Sequence, residues 1–316
     1  MLLKPARQMA LALLFGALLP GLASAEQTLR IGYQKSSTLL TLLKARGTLE
    51  QKLAAEGIRI SWHEFPSGLP LLEALNLGNV DVSADVADTV PVFTQAAGAR
   101  LTYFARETPS PTAQAILVPA DSPLKTLADL KGKRVAVTKA AGSHYLLIQA
   151  LAKAGLSFKD ITPAYLIPAD GRAAFENRKV DAWVTWDPYV ASAQRQQNAR
   201  ILADGSGLAS YQRYYLAGSD YAKAHPEVLQ QVYQALREAG TWAKANPAAA
   251  ARILGPLWGN LDVATVQQAN ARRSYDVQPV QVDNLAEQQR IADAFYREGL
   301  LPKAVDAQAV SVFEPR

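Results

Sequence analysis

Apolar positions along the chain switch between a period of two and a period near 3.6, and this alternation lays out its elements. Residues 28–33 (TLRIGY) read as a strand, followed by the polar turn Gln34-Lys35-Ser36-Ser37. A helical pattern over 38–56 runs through Leu39, Leu42, Leu43, Leu49 and Leu53, and Gly47 is expected to divide it. Residues 58–65 alternate as a second strand, 71–77 form a short helix stopped by Gly78, and 80–82 form a third strand. Residues 83–91 (SADVADTVP) read as a polar turn in which Asp88 caps a helix over 89–97, with Pro91 in its first turn. Strands follow at 101–106 and 115–118, then a short capped helix within 121–131.

The stretch 135–151 (VAVTKAAGSHYLLIQAL) predicts a buried strand, a turn of small residues and a helix. That helix is capped by Gly142 or Ser143 and buries Tyr145, Leu147, Ile148 and Leu151. Beyond it come a strand at 164–167, a helix over 171–178 capped by Asp170, a strand at 180–185, and a helix over 189–197 opened by Asp187-Pro188. Strands at 200–203 and 214–217 precede four helices, at 227–245, 247–254, 262–273 and 284–298. Strand–helix alternation occurring twice, then a run of helices, predicts two α/β lobes with largely parallel, doubly wound sheets. The chain is expected to leave the first lobe (26–115 and 215–316) near Ala115 and return near Tyr214, so that 116–214 is an inserted second lobe.

Residues 1–25 carry a basic start (Lys4, Arg7), an apolar run too short to span a bilayer, and the small-residue triplet Ala23-Ser24-Ala25. They read as a secretory signal cleaved after Ala25; a membrane anchor or a core helix is the alternative. There is no cysteine, which excludes disulfides and a lipoprotein signal and suits a periplasmic protein. The net charge of +5 is scattered rather than clustered, so nucleic acid and membrane surfaces gain little support as partners. His63, His144 and His225 lack metal-ligand spacing, and there is no nucleophile elbow or phosphate loop. No catalytic residue, metal or cofactor is expected.

The chemistry that remains is anion capture. The first turn of a helix has backbone N–H groups without intrahelical partners, at the positive end of the helix dipole. Facing a cleft, they bind an anion without a full positive charge. Three helix starts are expected to converge: Ser36 to Thr38, Asp88-Thr89, and Gly142-Ser143-His144. Each has a plainer reading, as a cap or an ordinary βα connection. Arg172 and Lys139 are the cations nearest the expected mouth and also read as solvated surface charges.

Several motifs carry a family resemblance: LRIGYQK (29–35), EFPSG (64–68), LEALNLGNVDV (72–82), FTQAAGA (93–99), ILVPADSPLKTLADLKGKRVAV (116–137), GSHYLL (142–147), IPADGRAAF (167–175) and VDAWVTWDPY (180–189). In this order and spacing the chain resembles the periplasmic aliphatic sulfonate-binding proteins of ABC importers. The resemblance implies the type II periplasmic-binding-protein fold: two doubly wound lobes, a cleft and two hinge crossovers. It implies ligand contacts from Gln34, Ser143 and His144, with Trp186 and Asp187 bordering the cleft. Gln34 also reads as a loop amide, His144 as a buried neighbour and Trp186 as core. The implied partners are a small organosulfur anion and a membrane-embedded permease with a cytoplasmic ATPase, served by a monomer. The loop 83–91 departs from the family pattern through the added carboxylates Asp85 and Asp88, and an added carboxylate is expected to repel a sulfonate or receive an amine. Sulfate esters, taurine or nitrate are the alternative ligands. Same-fold rivals are a thiamine-pyrimidine enzyme, which would need a cysteine or a His/Cys cluster, and a regulator's sensing domain, which would need a helix-turn-helix segment.

Overall fold

The computed structural model describes residues 27–316; the expected signal segment and cleavage after Ala25 lie outside the described residues. The first half of the chain runs β1 (Gln27–Gln34), α1 (Leu39–Arg46), α2 (Thr48–Ala54), β2 (Ile58–Phe65), α3 (Gly68–Asn76), β3 (Val82–Ser83), β4 (Val86–Ala87), α4 (Thr89–Ala96) and β5 (Leu101–Glu107). The middle follows as β6 (Gln114–Val118), β7 (Arg134–Val137), α5 (Gly142–Lys153), β8 (Thr162–Tyr165), α6 (Pro168–Glu176), β9 (Ala182–Trp186), α7 (Tyr189–Gln197) and β10 (Arg200–Asp204). The chain closes with β11 (Arg213–Gly218), α8 (Ser219–Ala224), α9 (Pro226–Ala245), α10 (Pro247–Leu257), α11 (Val263–Ala271), β12 (Val277–Gln278), α12 (Ala286–Arg297) and β13 (Ser311–Val312). Gly47 separates α1 from α2 at a φ of 63°, a left-handed turn glycine takes without strain.

Two sheets result. One has the path β12-β5-β11-β3-β1-β2, with β13 on β5 and β4 on β11; the other runs β10-β6-β9-β7-β8. Both are mixed, which corrects the expectation of largely parallel sheets. β1 pairs parallel with β2 and β3, and β7 with β8 and β9. However, β6 runs against β9 and β10, and β11 against β3 and β5. A parallel pair needs a long crossover, usually a helix. The strands that carry the chain from one sheet to the other arrive without one.

Three local readings also change. Residues 83–91 are not an exposed polar turn: all nine are buried and include β4. The helix expected within 121–131 shrinks to a single 3₁₀ turn at Leu127–Leu130, closed by a capping box between Thr126 and Asp129. Caps move as well. Asp170 lies in the first turn of α6 rather than before it, and Ala141, not Gly142 or Ser143, precedes α5.

The cores follow the apolar spacing. Leu29, Ile31, Leu42, Leu49 and Leu53 pack with Leu236 of α9. Val135, Val137, Leu147 and Val184 pack with Ile291 and Phe295 of α12, so the C-terminal helix lies against the second sheet's half. The carboxyl ends of β1, β7 and β9 come together between the sheets.

Candidate functional site

A narrow cavity lies where those strand ends meet. Its wall is drawn from both sheets: Gln34 at the end of β1, Ser67 to Leu69 at the start of α3, Ala87 and Val90, Thr138, Lys139, Ala141 and Gly142 leading into α5, and Trp186 at the end of β9. Tyr211 and Arg213, where the chain returns to the first sheet, complete it.

Gln34 is held by two bonds. Its side-chain amide donates to the carbonyl of Asp85 at 2.9 Å, and its backbone N–H donates to Ser37 Oγ at 3.2 Å. The α5 start reaches the wall through Ala141 and Gly142. Gly142 is required there, because a Cβ would stand 2.7 Å from the Tyr211 ring and 3.1 Å from Ala87. Ala140, just before, sits in the left-handed region at φ 62°, a strained position for a residue with a side chain. Its carbonyl accepts from Thr89 Oγ1 at 2.5 Å, which ties the start of α4 to the approach to α5. Trp186 Nε1 donates to Ser36 Oγ at 3.1 Å, a second tie between the sheets. The three expected helix starts are therefore brought into one neighbourhood.

The other residues singled out from sequence stand behind the wall. Ser143 is buried and its Oγ has no protein partner. His144 is also buried, with its ring edge-on to Phe158, Tyr165 and Phe295 at centroid distances of 5.2, 5.4 and 5.0 Å. Its Nδ1 accepts from the Ala140 N–H at 3.3 Å. Burial, with help from the charge of Lys139, pushes its ionisation down to about 3, so it is neutral at pH 7. Asp88 stands at the N-cap position of α4, but its side chain makes no capping bond; it accepts from the Gln212 N–H at 3.0 Å, and burial pushes its carboxyl up to about 7. Asp187 accepts from the Ala191 N–H at 3.0 Å and from Arg272 at 3.0 and 3.1 Å. Burial raises it to about 6 even beside that guanidinium. Lys139 lines the cavity, whereas Arg172 is turned to Glu176 and Gln196 on the helices outside.

Sequence reading missed Arg213 and Arg273. Arg213, 2 % exposed, donates to Tyr211 Oη at 2.6 Å and pairs with Asp85 Oδ2 at 2.5 Å. Arg273 pairs with Glu107 at 2.6 Å and with the same Asp85 oxygen at 3.3 Å. The available signal was an arginine opening the otherwise uncharged run RYYLAG, since a charge in a buried strand needs a buried partner. The site thus offers backbone and side-chain N–H donors at one end, and an apolar wall of Leu69, Val90, Trp186 and Tyr211 beside them.

Two helix-flanked sheets, joined by two chain crossings and enclosing such a cavity, are the architecture of a two-lobed periplasmic binding protein. The family profile described as NMT1/THI5 like matches residues 53–250. The chain belongs to that family. A putative aliphatic sulfonates-binding protein of Escherichia coli (strain K12) is 42 % identical over 283 residues, covering 90 % of this chain and 88 % of the relative. The alkanesulfonate-binding protein SsuA from Xanthomonas axonopodis pv. citri, solved with MOPS bound, superposes at a TM-score of 0.84 with 43 % identity, covering 90 % of this chain and 98 % of that one. The E. coli periplasmic aliphatic sulphonate binding protein SsuA superposes at 0.82 with 41 % identity, covering 92 % and 93 %. The resemblance read from the motifs is borne out.

Proposed function

We propose that the protein is the periplasmic substrate-binding component of an ABC importer and captures aliphatic sulfonates, or related organosulfur anions, for uptake as a sulfur source. It is a binding protein rather than an enzyme. The observation that carries the reading is the juxtaposition of N–H donors with an apolar wall: Gln34, Arg213 and the start of α5 beside Leu69, Val90 and Trp186. A sulfonate has a permanently charged head with three acceptor oxygens and an apolar tail, and burying it requires that pairing. The names of the relatives support the same ligand class.

In this reading the head group meets Gln34, Arg213 and the Ala141-Gly142 start of α5, and the tail lies along Trp186. Ser36, Thr89 and Asp187 hold the wall in place from behind. The halves 26–115 with 215–316, and 116–214, close on the ligand as a monomer, and the closed form is handed to a membrane-embedded permease driven by a cytoplasmic ATPase. The chain's passage from β5 in the first sheet to β6 in the second, and from β10 back to β11 in the first, supports this division.

The test is a panel of ethanesulfonate, taurine, ethyl sulfate and nitrate, read by melting midpoint and tryptophan emission. A ligand at about a hundred times its Kd stabilises by about 2.7 kcal/mol. An upward shift with alkanesulfonates is expected; no shift and no emission change with any sulfonate would refute the assignment.

A further inference from the structure

Asp85 read from sequence as a carboxylate facing an anion, which is unfavourable. The structure places it elsewhere. Its side chain is 0 % exposed and lies behind the cavity wall, with one oxygen shared by Arg213 and Arg273. Glu107, also buried, accepts from the same Arg273 Nη2 at 2.6 Å and from Tyr215 Oη at 2.7 Å. The two guanidinium and the two carboxylate charges of this set cancel. Near it, Lys139 at the cavity wall is exposed and hydrated, and Asp88 contributes a further buried carboxyl rather than a cation. Arg213 therefore brings donors to the cavity, including an Nε with no protein partner, but no surplus positive charge.

Such a site treats one and two negative charges differently. A single charge spread over three oxygens is met by N–H donors and the start of α5. A second charge would meet only the solvent-exposed, screened charge of Lys139, which leaves most of its burial cost uncompensated. We infer that Asp85 determines ligand charge: by neutralising Arg213 and Arg273 it confines the cavity to monoanions and turns away tetrahedral dianions of the same shape. This rests on the proposed anion-capture function and adds the residue that sets its selectivity.

The experiment compares ethanesulfonate with ethylphosphonate, its isosteric analogue, by titration calorimetry on the full protein. It is run at about pH 9, above the second ionisation of the phosphonate, whose dianion is more basic than that of a phosphate monoester (second ionisation at about 6). The parent is expected to bind the sulfonate at least about tenfold more tightly than the phosphonate, and Asp85→Asn to lower that ratio by about tenfold, the effect of one neighbouring charge. Glu107→Gln, which unbalances the same set, is expected to lower it in the same direction. If no sulfonate binds the parent, the functional reading itself fails. If ethanesulfonate binds but the parent's ratio is below about tenfold, or a folded Asp85→Asn or Glu107→Gln protein keeps the parent's ratio, the inference is overturned while the function stands. Should neither variant fold, the parent's ratio decides.

Discussion

Replacing Gly142 by alanine tests whether the α5 start, the Tyr211 ring and Ala87 must meet for ligand to be held. The added methyl would lie 2.7 Å from Tyr211 Cδ2 and Cε2, against about 3.5–4.0 Å for ordinary carbon contact. Tyr211 has little freedom to yield. It is 2 % exposed, sits at φ 52°, and its hydroxyl accepts from Arg213 at 2.6 Å. Overpacking of this kind costs about 1–3 kcal/mol. Gly142 belongs to the half built on the second sheet and Ala87 to the first, so the part of the cost that arises at Ala87 falls where the halves meet. At about 1.4 kcal/mol per tenfold, Kd for ethanesulfonate should rise by about tenfold to a hundredfold. Calorimetry gives Kd, and melting of the unliganded protein supplies the control. A Kd within about twofold of the parent would refute the reasoning. So would an unliganded midpoint that drops as far as the liganded one, because the clash would then be ordinary core strain.

Four further outcomes are expected. Trp186→Phe removes the bond to Ser36 and part of the cavity wall, so the ligand-induced change in tryptophan emission should largely vanish and affinity fall by about tenfold, the worth of about one hydrogen bond with its packing. His144 is held down to about 3 from its ordinary 6.5, so the unfolded chain takes up a proton the native state refuses, and stability falls as pH drops from 6.5 towards 3; in urea titrations His144→Phe should flatten that slope. Asp88 has the opposite sign. Its folded value of about 7 lies above the ordinary 3.8, so it lowers stability as pH rises between the two, and Asp88→Asn should remove that contribution. Arg272→Gln strips Asp187 of its guanidinium partner and should cost about 3 kcal/mol at pH 8 in chemical denaturation, with part of the loss recovered near pH 5, where the carboxyl protonates.

Much of the element order was legible. The strand at 58–65 and the helix at 189–197 have the ends their patterns suggest, because alternation and a Pro-led helix start are local signals. The division of the first helix at Gly47 was likewise local. Strand direction was not, since β6 and β11 take theirs from where the chain crosses between sheets. Within the site, Gln34, Gly142 and Trp186 line the cavity as their strand-end and helix-start positions imply. Ser143 and His144, adjacent to Gly142 in sequence, turn behind the wall, as successive helix residues point in different directions.

By itself the sequence determined what neighbours can settle: apolar periodicity, turn chemistry, an export-like start, the absence of cysteine chemistry, and motifs of a sulfonate-binding family. Only the tertiary structure decided the electrostatics. Asp85, Glu107, Arg213 and Arg273 lie far apart along the chain yet share one buried set. Whether a carboxylate repels a ligand or merely balances an arginine depends on distance and burial, and both arise only when separate strands are packed together.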